Sequence, residues 1–209
     1  MARKPESKHS RAKKRRTGDE ARTAILDAAE KLLVAIGPAG IRLQEVAADV
    51  GVSHPTVLHH FGSREGLIDA VVARALASLH AGLLEAVQAP PTGADHVAGI
   101  LDRVSETLIE GGHARALLWL ALSGYGSSLE ELHVRSVAEA VHDVRGTLRK
   151  AEGKRVPSFE DTYFTVLLAA LTLLSMSVME AKGTDNDLAD PRRFRAWLAK
   201  WLHEHLQNA

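Results

Sequence analysis

The sequence contains no cysteine, which excludes a disulfide framework, thiol catalysis and cysteine-ligated metal sites. This absence is compatible with a reducing compartment, and we expect the protein to be cytoplasmic. A secretory signal is also missing, because the basic N-terminus is not followed by an apolar run. Aromatic residues make up only 4% of the chain, and the net charge at pH 7 is zero.

The motifs of common enzymes are missing as well. The chain has no HExxH helix, no phosphate-binding glycine loop, no strand-based nucleotide fingerprint and no Ser/His/Asp order typical of hydrolases. His203 and His205 are spaced too closely to ligate one metal from a single helix face. We therefore expect no enzyme activity, no cofactor and no metal.

The charges are distributed unevenly. Residues 1–66 hold 12 Lys and Arg against 8 Asp and Glu, whereas residues 67–209 hold 14 against 18. Residues 1–17 are strongly basic and have almost no apolar side chain to bury, so we expect a disordered arm. This arm, including Arg15 and Arg16, is predicted to contact DNA; the alternative is a solvated tail.

Two short amphipathic segments flank a tight turn. Apolar side chains recur at helical spacing over residues 43–50, and Gly51 can adopt the positive φ that ends a helix. Ser53 is a favourable N-cap for residues 54–61, and Pro55 falls in the first turn, where a missing N–H is tolerated. The pattern predicts a helix-turn-helix, whose second helix can enter a DNA major groove.

The same stretch carries a family resemblance. It reads Ala47-x-x-x-Gly51-Val52-Ser53, then Thr56, His60-Phe61 and Ser63-Arg64-Glu65-x-Leu67. This pattern resembles the N-terminal DNA-binding domain of TetR-family repressors. Two positions depart from it, because that family usually has Tyr at the position of Leu58 and a capping Ser or Thr at the position of Arg42.

The resemblance implies an all-α fold and three regions. These are the arm at residues 1–17, a three-helix DNA-binding head at residues 18–66, and a helical regulatory and dimerisation body at residues 67–209. A connector helix at about residues 64–87 would join head and body. The implied partners are double-stranded operator DNA, a small-molecule effector and a second copy of the chain.

The candidate DNA-binding residues lie in and around the helix-turn-helix. His54 and Thr56 are expected to face bases or phosphates, and Pro55 could contact a thymine methyl group. His59 and His60 are expected to reach the DNA backbone, unless one of them packs against the head. The remaining candidates are Arg42, Gln44, Ser53 and Arg64.

The body contains a long uncharged segment at residues 162–179. Its 18 residues approach the lower limit for a membrane span. Its Thr and Ser content, the flanking acids and the lack of a second span instead favour a helix buried by its own subunit and a dimer mate. We therefore expect no membrane partner.

A last helix is predicted after Asp190, since an N-cap followed by Pro191 is a strong start signal. Together with the uncharged segment, this helix resembles the family's four-helix dimerisation bundle. Its aromatic residues could alternatively be buried within one subunit. The predicted interface residues are Leu171, Leu174, Phe194, Trp197 and Trp201.

The effector site is predicted between the body helices, where bundle pockets form. The candidate lining residues are Trp119, Tyr125, Phe159, Tyr163, Met176 and Met179, with His113 or His133 as polar anchors. An apolar pocket of this kind favours a lipophilic effector. The competing interpretation is a helical interaction protein or ligand carrier with non-specific affinity for anions or DNA.

Overall fold

The computed structural model describes residues 17–89, 96–109, 112–123, 134–180 and 190–208, and these residues form helices without any strand. The predicted all-α class is confirmed. In chain order the helices are α1 (Gly18–Ile36), a 3-10 turn (Pro38–Gly40), α2 (Leu43–Val50), α3 (His54–Phe61), α4 (Arg64–Gln88), α5 (His96–Ile109), α6 (His113–Ser123), α7 (Val134–Ala151), α8 (Phe159–Glu180) and α9 (Pro191–Asn208).

Side-chain caps begin most of these helices. The hydroxyl of Ser63 accepts a hydrogen bond from the backbone N–H of Gly66 at 3.0 Å, which caps α4. Ser158 and Asp190 act in the same way at the starts of α8 and α9. These local signals were readable in the sequence because a cap needs only its neighbours.

The start of α1 differs from the expectation. Thr17, which the sequence analysis assigned to the arm, is the N-cap of α1 and forms a reciprocal capping box with Glu20. Two backbone N–H groups at this helix start are thereby satisfied.

The head is organised around one hydrophobic core. Ile25 and Leu33 of α1, Val46 of α2, Val57 of α3 and Leu67 of α4 are all fully buried in it. Each short helix contributes only one or two of these side chains, so α2 and α3 depend on α1 and α4 for their positions.

Helix α6 belongs to two cores at once. Ala116 and Leu120 are buried in the core of the head, whereas Ala114 and Leu117 pack into the core of the body. Different faces of α6 therefore pack against different regions. Head and body are joined through α6 as well as through the connector α4.

The core of the body is formed by α4, α5, α6, α8 and α9. Its buried members include Leu79, Leu101, Leu173, Leu198 and Leu202. Helix α9 thus has an inward face that packs within its own subunit. Its aromatic side chains lie elsewhere on the same helix.

The expectation that there is no second candidate span is wrong: in the described part of the chain two helices, Arg64–Gln88 and Phe159–Met176, are long and apolar enough to cross a membrane by length and composition. The buried side chains of α4 include Leu67, Ile68, Val71 and Leu79, so its apolar residues serve the two cores. Only 11% of the α8 window is buried in the single chain. Helix α8 therefore presents an apolar outer face, as helices packed against a second subunit do.

Candidate nucleic-acid interface

The turn between α2 and α3 has the geometry of a helix-turn-helix. Gly51 ends α2 in the left-handed conformation, with φ +69°. Ser53 caps α3, its hydroxyl accepting from the backbone N–H of Thr56 at 3.3 Å and lying 2.8 Å from the Thr56 hydroxyl. The hydroxyl of Ser53 is therefore engaged within the motif, which limits it as a DNA contact.

Helix α3 is attached to the head by few side chains. Val57 is its only fully buried residue. Pro55 and His59 are exposed, and His54 and Thr56 are partly exposed. An outward surface of these four residues is thus available on the second helix of the motif.

His60 lies against the start of α1. A methyl group placed on Gly18 would be 4.0 Å from Cε1 of His60, and the His60 ring centroid is 6.2 Å from that of Phe61. The guanidinium of Arg22 lies 5.2 Å from the Phe61 ring centroid and completes this cluster. Of the two histidines, His60 fits the packed alternative, and His59 remains exposed.

Arg64 is a clamp inside the head. Its Nε donates to the carbonyl of Ile41 at 2.8 Å, and its Nη2 donates to the carbonyls of Pro38 and Ala39 at 2.9 and 3.0 Å. These carbonyls lie in the turn between α1 and α2, where the Pro38 carbonyl also accepts from the backbone N–H of Ile41 at 3.3 Å. Only Nη1 remains available for the predicted phosphate contact, and it lies 3.6 Å from Oε1 of Glu65.

Arg42 and Gln44 are exposed at the start of α2. Arg42 makes no side-chain cap and is 3.8 Å from Glu45, so its guanidinium stays accessible at the surface. An exposed pair of this kind is weak and is readily exchanged for a phosphate.

The head is not basic on its own. Residues 17–66 contain four Lys and Arg against seven Asp and Glu. The positive charge of the N-terminal part therefore comes from residues 1–16, which hold eight Lys and Arg against one Glu. Arg15 and Arg16 belong to this stretch, which lies outside the described residues.

The body contains a cavity of about 100 Å³ between α4, α5, α7 and α8. Its wall is aliphatic and includes Val134, Val137, Val141, Val166, Ala169 and Leu173. None of the described effector candidates lines it. The sequence offered aromatic residues as candidates, but small and branched aliphatic residues on four helices converge here, and this convergence depends on tertiary packing.

Among the described effector candidates, Phe159 and Tyr163 lie next to each other on α8, whereas Trp119 and His113 lie on α6. Trp119 covers Gly37 at the head, and His113 Nδ1 is 2.9 Å from the carbonyl oxygen of Thr107. Phe159 packs between His142 and Tyr163 on the outer side of the α7–α8 pair, and Met176 is partly buried. Tyr125, His133 and the side chain of Met179 are outside the described part, so a site built from this whole set stays a prediction.

The interface candidates divide into two groups. Leu171, Phe194, Trp197 and Trp201 are exposed in the single chain, with Trp197 57% exposed. Phe164 and Leu168 extend the same apolar surface along α8. Leu174 instead packs partly into the core of the body.

A polar network joins α7, α8 and α9, and sequence patterns did not reveal it. Arg145 of α7 is buried, and its Nη1 donates to Oδ2 of Asp161 and to the hydroxyl of Thr162, both at 2.9 Å. His205 of α9 lies 3.4 Å from Oδ1 of Asp161, and His142 lies 3.1 Å from the Thr162 hydroxyl. The signal available in the sequence was an arginine on an apolar helix face one turn after Val141.

Burial acts to raise the pKa of Asp161, but the hydrogen bonds and charges of Arg145 and His205 lower that pKa below its ordinary value. The stabilising contribution of Asp161 is therefore present above the ordinary pKa of an aspartate. It is lost as the pH falls through the lowered value.

Comparison with known proteins identifies the family of the head. Residues 25–71 match the family model of bacterial regulatory proteins, tetR family. The HTH-type transcriptional repressor Rv3405c of Mycobacterium tuberculosis is 34% identical over 127 residues, which cover 61% of this chain and 60% of that protein. The HTH-type transcriptional regulator BetI of Rhizobium meliloti is 29% identical over 111 residues, 53% of this chain and 54% of that protein. The matches thus span less than two thirds of these relatives.

Solved structures share the fold over most of the chain. A tetR-family transcriptional regulator from Streptomyces coelicolor superposes with a TM-score of 0.61 at 20% identity, covering 87% of this chain and 78% of that one. A putative transcriptional regulator from Pseudomonas aeruginosa gives a TM-score of 0.63 at 17% identity, covering 92% and 93%. At these identities the likeness concerns the fold alone.

Proposed function

Since the chain belongs to the TetR family of bacterial regulatory proteins, we propose that it is a cytoplasmic transcriptional repressor. In this proposal it binds a palindromic operator as a homodimer and is released by a small lipophilic effector. Regulators of this family are not enzymes, and the proposal includes no catalytic step.

The observation that carries the proposal is the position of α3 on the surface of the head. A helix anchored by one buried side chain, Val57, presents Pro55, Thr56 and His59 outward from a rigid three-helix head. A recognition helix reads bases through residues near its N-terminus, where His54, Pro55 and Thr56 stand. Imidazole and hydroxyl groups can hydrogen-bond to base edges, and the proline ring can contact a thymine methyl group.

The outer face of α8 and α9 supports the homodimer. Leu168 and Leu171 of α8 and Phe194, Trp197 and Trp201 of α9 are large apolar side chains exposed in the single chain. A contiguous apolar patch of this kind marks an interaction surface. A twofold contact between copies would cover it and would place two α3 helices on related half-sites.

Release by an effector requires that the effector bind the DNA-incompetent arrangement more tightly than the competent one. The cavity supports such coupling because α4, which contributes Leu83 and Val87 to its wall, continues into the head. Helix α6 provides a second connection through Ala116 and Leu120. A conformational change in the body could therefore alter the spacing of the two heads through α4 and through α6.

A gel-shift assay distinguishes the proposed repressor from the competing function, a helical interaction protein with non-specific DNA affinity. The purified full-length chain is mixed at about 150 mM salt with its own upstream DNA or with a shuffled duplex of equal length and composition. Specific binding should be at least about 10³-fold tighter than binding to the shuffled duplex. The competing function would be favoured if the chain bound both duplexes equally and lost both as the salt concentration rose.

A further inference from the structure

We propose that the effector of this chain is a short aliphatic carboxylate, whose alkyl chain occupies the body cavity and whose carboxyl group binds Arg145. The inference rests on the effector-released repressor proposed above and names the chemical class of that effector. It is carried by the wall of the cavity and by unused hydrogen-bond donors of Arg145, which lies one helical turn beyond the lining residue Val141.

The wall accepts only an alkyl group. Val, Leu, Ile and Ala from four helices form it, and the described lining includes no polar side chain. A pocket with an apolar wall favours apolar molecules. The part of a ligand inside it must therefore be hydrocarbon.

Arg145 does not line the cavity itself but follows the lining residue Val141 by one helical turn. Val137, Val141 and Arg145 occupy successive turns on one face of α7, and the first two line the cavity. On α8, which runs antiparallel to α7, Thr162 precedes the lining residue Val166 by one turn. Long helical side chains lean toward the helix N-terminus, which directs the Arg145 side chain back toward Val141.

Arg145 has an unused edge. Its Nη1 is occupied by Asp161 and Thr162, whereas Nε and Nη2 are buried and have no hydrogen-bond partner among the described residues. The residue is only 7% exposed, so these donors do not reach bulk water. A buried donor without a partner is costly, and a ligand that satisfies both donors recovers that cost.

The geometry of this edge selects a carboxylate. The Nε–H and Nη2–H bonds of a guanidinium run parallel and match the two oxygens of a carboxyl group. An alcohol has one oxygen and would leave a donor unpaired. Asp161 holds the remaining face of Arg145, and His205, when protonated, can offset the charge of Asp161 at Oδ1.

The size of the cavity sets the chain length. Its volume of about 100 Å³ is smaller than the engineered apolar cavity of about 150 Å³ that binds benzene. A short alkyl chain fits without rearrangement. A longer chain must push against Leu83 and Val87 of α4, the helix that continues into the head.

The test is isothermal titration of the full-length protein with butanoate, hexanoate and octanoate, and with hexanol and hexyl phosphate at matched ionic strength. Affinity should rise about fourfold for each added methylene until the cavity is filled. Hexanoate should bind at least about tenfold more tightly than hexanol, because charged hydrogen bonds are lost with the alcohol. These comparisons use the unaltered chain and do not depend on the folding of a variant.

Three variants locate the site. Arg145→Lys keeps a positive charge but lacks the parallel donors, so it should weaken hexanoate at least about tenfold and leave hexanol unchanged. Ala170→Leu fills the cavity wall and should weaken both ligands. Arg149→Lys alters another buried arginine of α7, whose Nε binds the carbonyl of Arg155, and should leave both affinities unchanged.

The inference would be overturned if no carboxylate bound, if hexanol bound as tightly as hexanoate, or if hexyl phosphate bound more tightly. It would also be overturned if Arg145→Lys and Arg149→Lys had equal effects. Gel shifts with operator DNA are run on the same samples. Specific DNA binding without carboxylate binding would reject the effector class alone. Loss of specific DNA binding in the unaltered chain would reject the proposed function itself.

Discussion

At the scale of single residues, two arginines have roles that their charge does not suggest. Arg64 binds three backbone carbonyls of the turn before α2, and Arg145 is buried between α7 and α8. In both cases the planar guanidinium satisfies acceptors that come together only after folding. Through these bonds Arg64 connects the start of α4 to the turn between α1 and α2.

Replacing Arg64 should therefore destabilise the head. We expect Arg64→Ala to lower the free energy of unfolding by about 1–3 kcal/mol, since charged hydrogen bonds to carbonyls are removed. Arg64→Lys should recover only a small part, because an ammonium group cannot reach the three carbonyls together. Urea denaturation followed by circular dichroism measures both, with Arg42→Ala as the exposed control. Full stability of Arg64→Ala would contradict the clamp.

The roles of individual residues were only partly predictable. The caps at Ser53, Ser63 and Asp190 were read from the sequence because each acts within one helical turn. The clamp of Arg64 was not, because its acceptors lie more than 20 residues earlier in the chain. The cavity wall was missed for the same reason, since aliphatic residues give no sign in the sequence of which helices they will join.

At the scale of elements, α6 packs directly against the head. Gly112, at its start, has φ +73°, and an added methyl group would lie 2.1 Å from Cγ1 of Val34 in α1. Gly37, at the end of α1, lies under the Trp119 ring, where an added methyl group would be 2.8 Å from Cδ2. The approach of α6 to α1 therefore requires residues without side chains at these two points.

A matched pair of glycine substitutions tests this contact. Gly153 has a similar φ of +67° with no neighbouring atom within 4 Å, so Gly153→Ala should cost about 1–2 kcal/mol from the backbone alone. Gly112→Ala should cost about 1–3 kcal/mol more, because the β-branched Val34 cannot easily move aside. Urea titration of both variants measures the difference. Equal destabilisation would show that α6 does not press on α1.

The existence and extent of most helices followed from the sequence, since hydrophobic period and cap residues are local properties. The position of α6 between two cores was not readable from the sequence, because it depends on tertiary packing. The sequence also did not show which α9 residues face the core and which face outward. Leu198 and Leu202 face inward while Trp197 and Trp201 face outward, although all four recur at helical spacing.

At the scale of the whole molecule, dimerisation is expected through α8 and α9. Leu171 of α8 and Leu148 of α7 are each 50% exposed, which makes them a matched pair. We expect Leu171→Glu to yield monomers, because a charge on the apolar face would be buried without a partner. Leu148→Glu should leave the dimer intact. Size-exclusion chromatography with light scattering distinguishes them, and a dimeric Leu171→Glu chain would place the interface elsewhere.

The basic arm should supply much of the electrostatic attraction to DNA, because residues 17–66 carry more acidic than basic side chains. A chain that begins at Thr17 removes the arm and keeps the cap of α1. Its operator affinity should fall, and the slope of log K against log salt should become shallower by about 0.9 for each lost phosphate contact. Fluorescence anisotropy over a salt series measures both. An unchanged slope would identify residues 1–16 as a tail without DNA contacts.

The central claim is that α3 reads DNA as one of a twofold pair. Its most direct test is selection of bound duplexes from a random library by the full-length chain at about 150 mM salt. We predict a palindromic sequence with half-sites about one helical turn, or a multiple of it, apart. The double variant His54→Ala and Thr56→Ala should keep this spacing but lose preference at bases within each half-site, about 1–3 kcal/mol for each lost contact. The claim would be contradicted if the unaltered chain enriched no symmetric sequence. It would also be contradicted if the double variant enriched the same sequence as the unaltered chain.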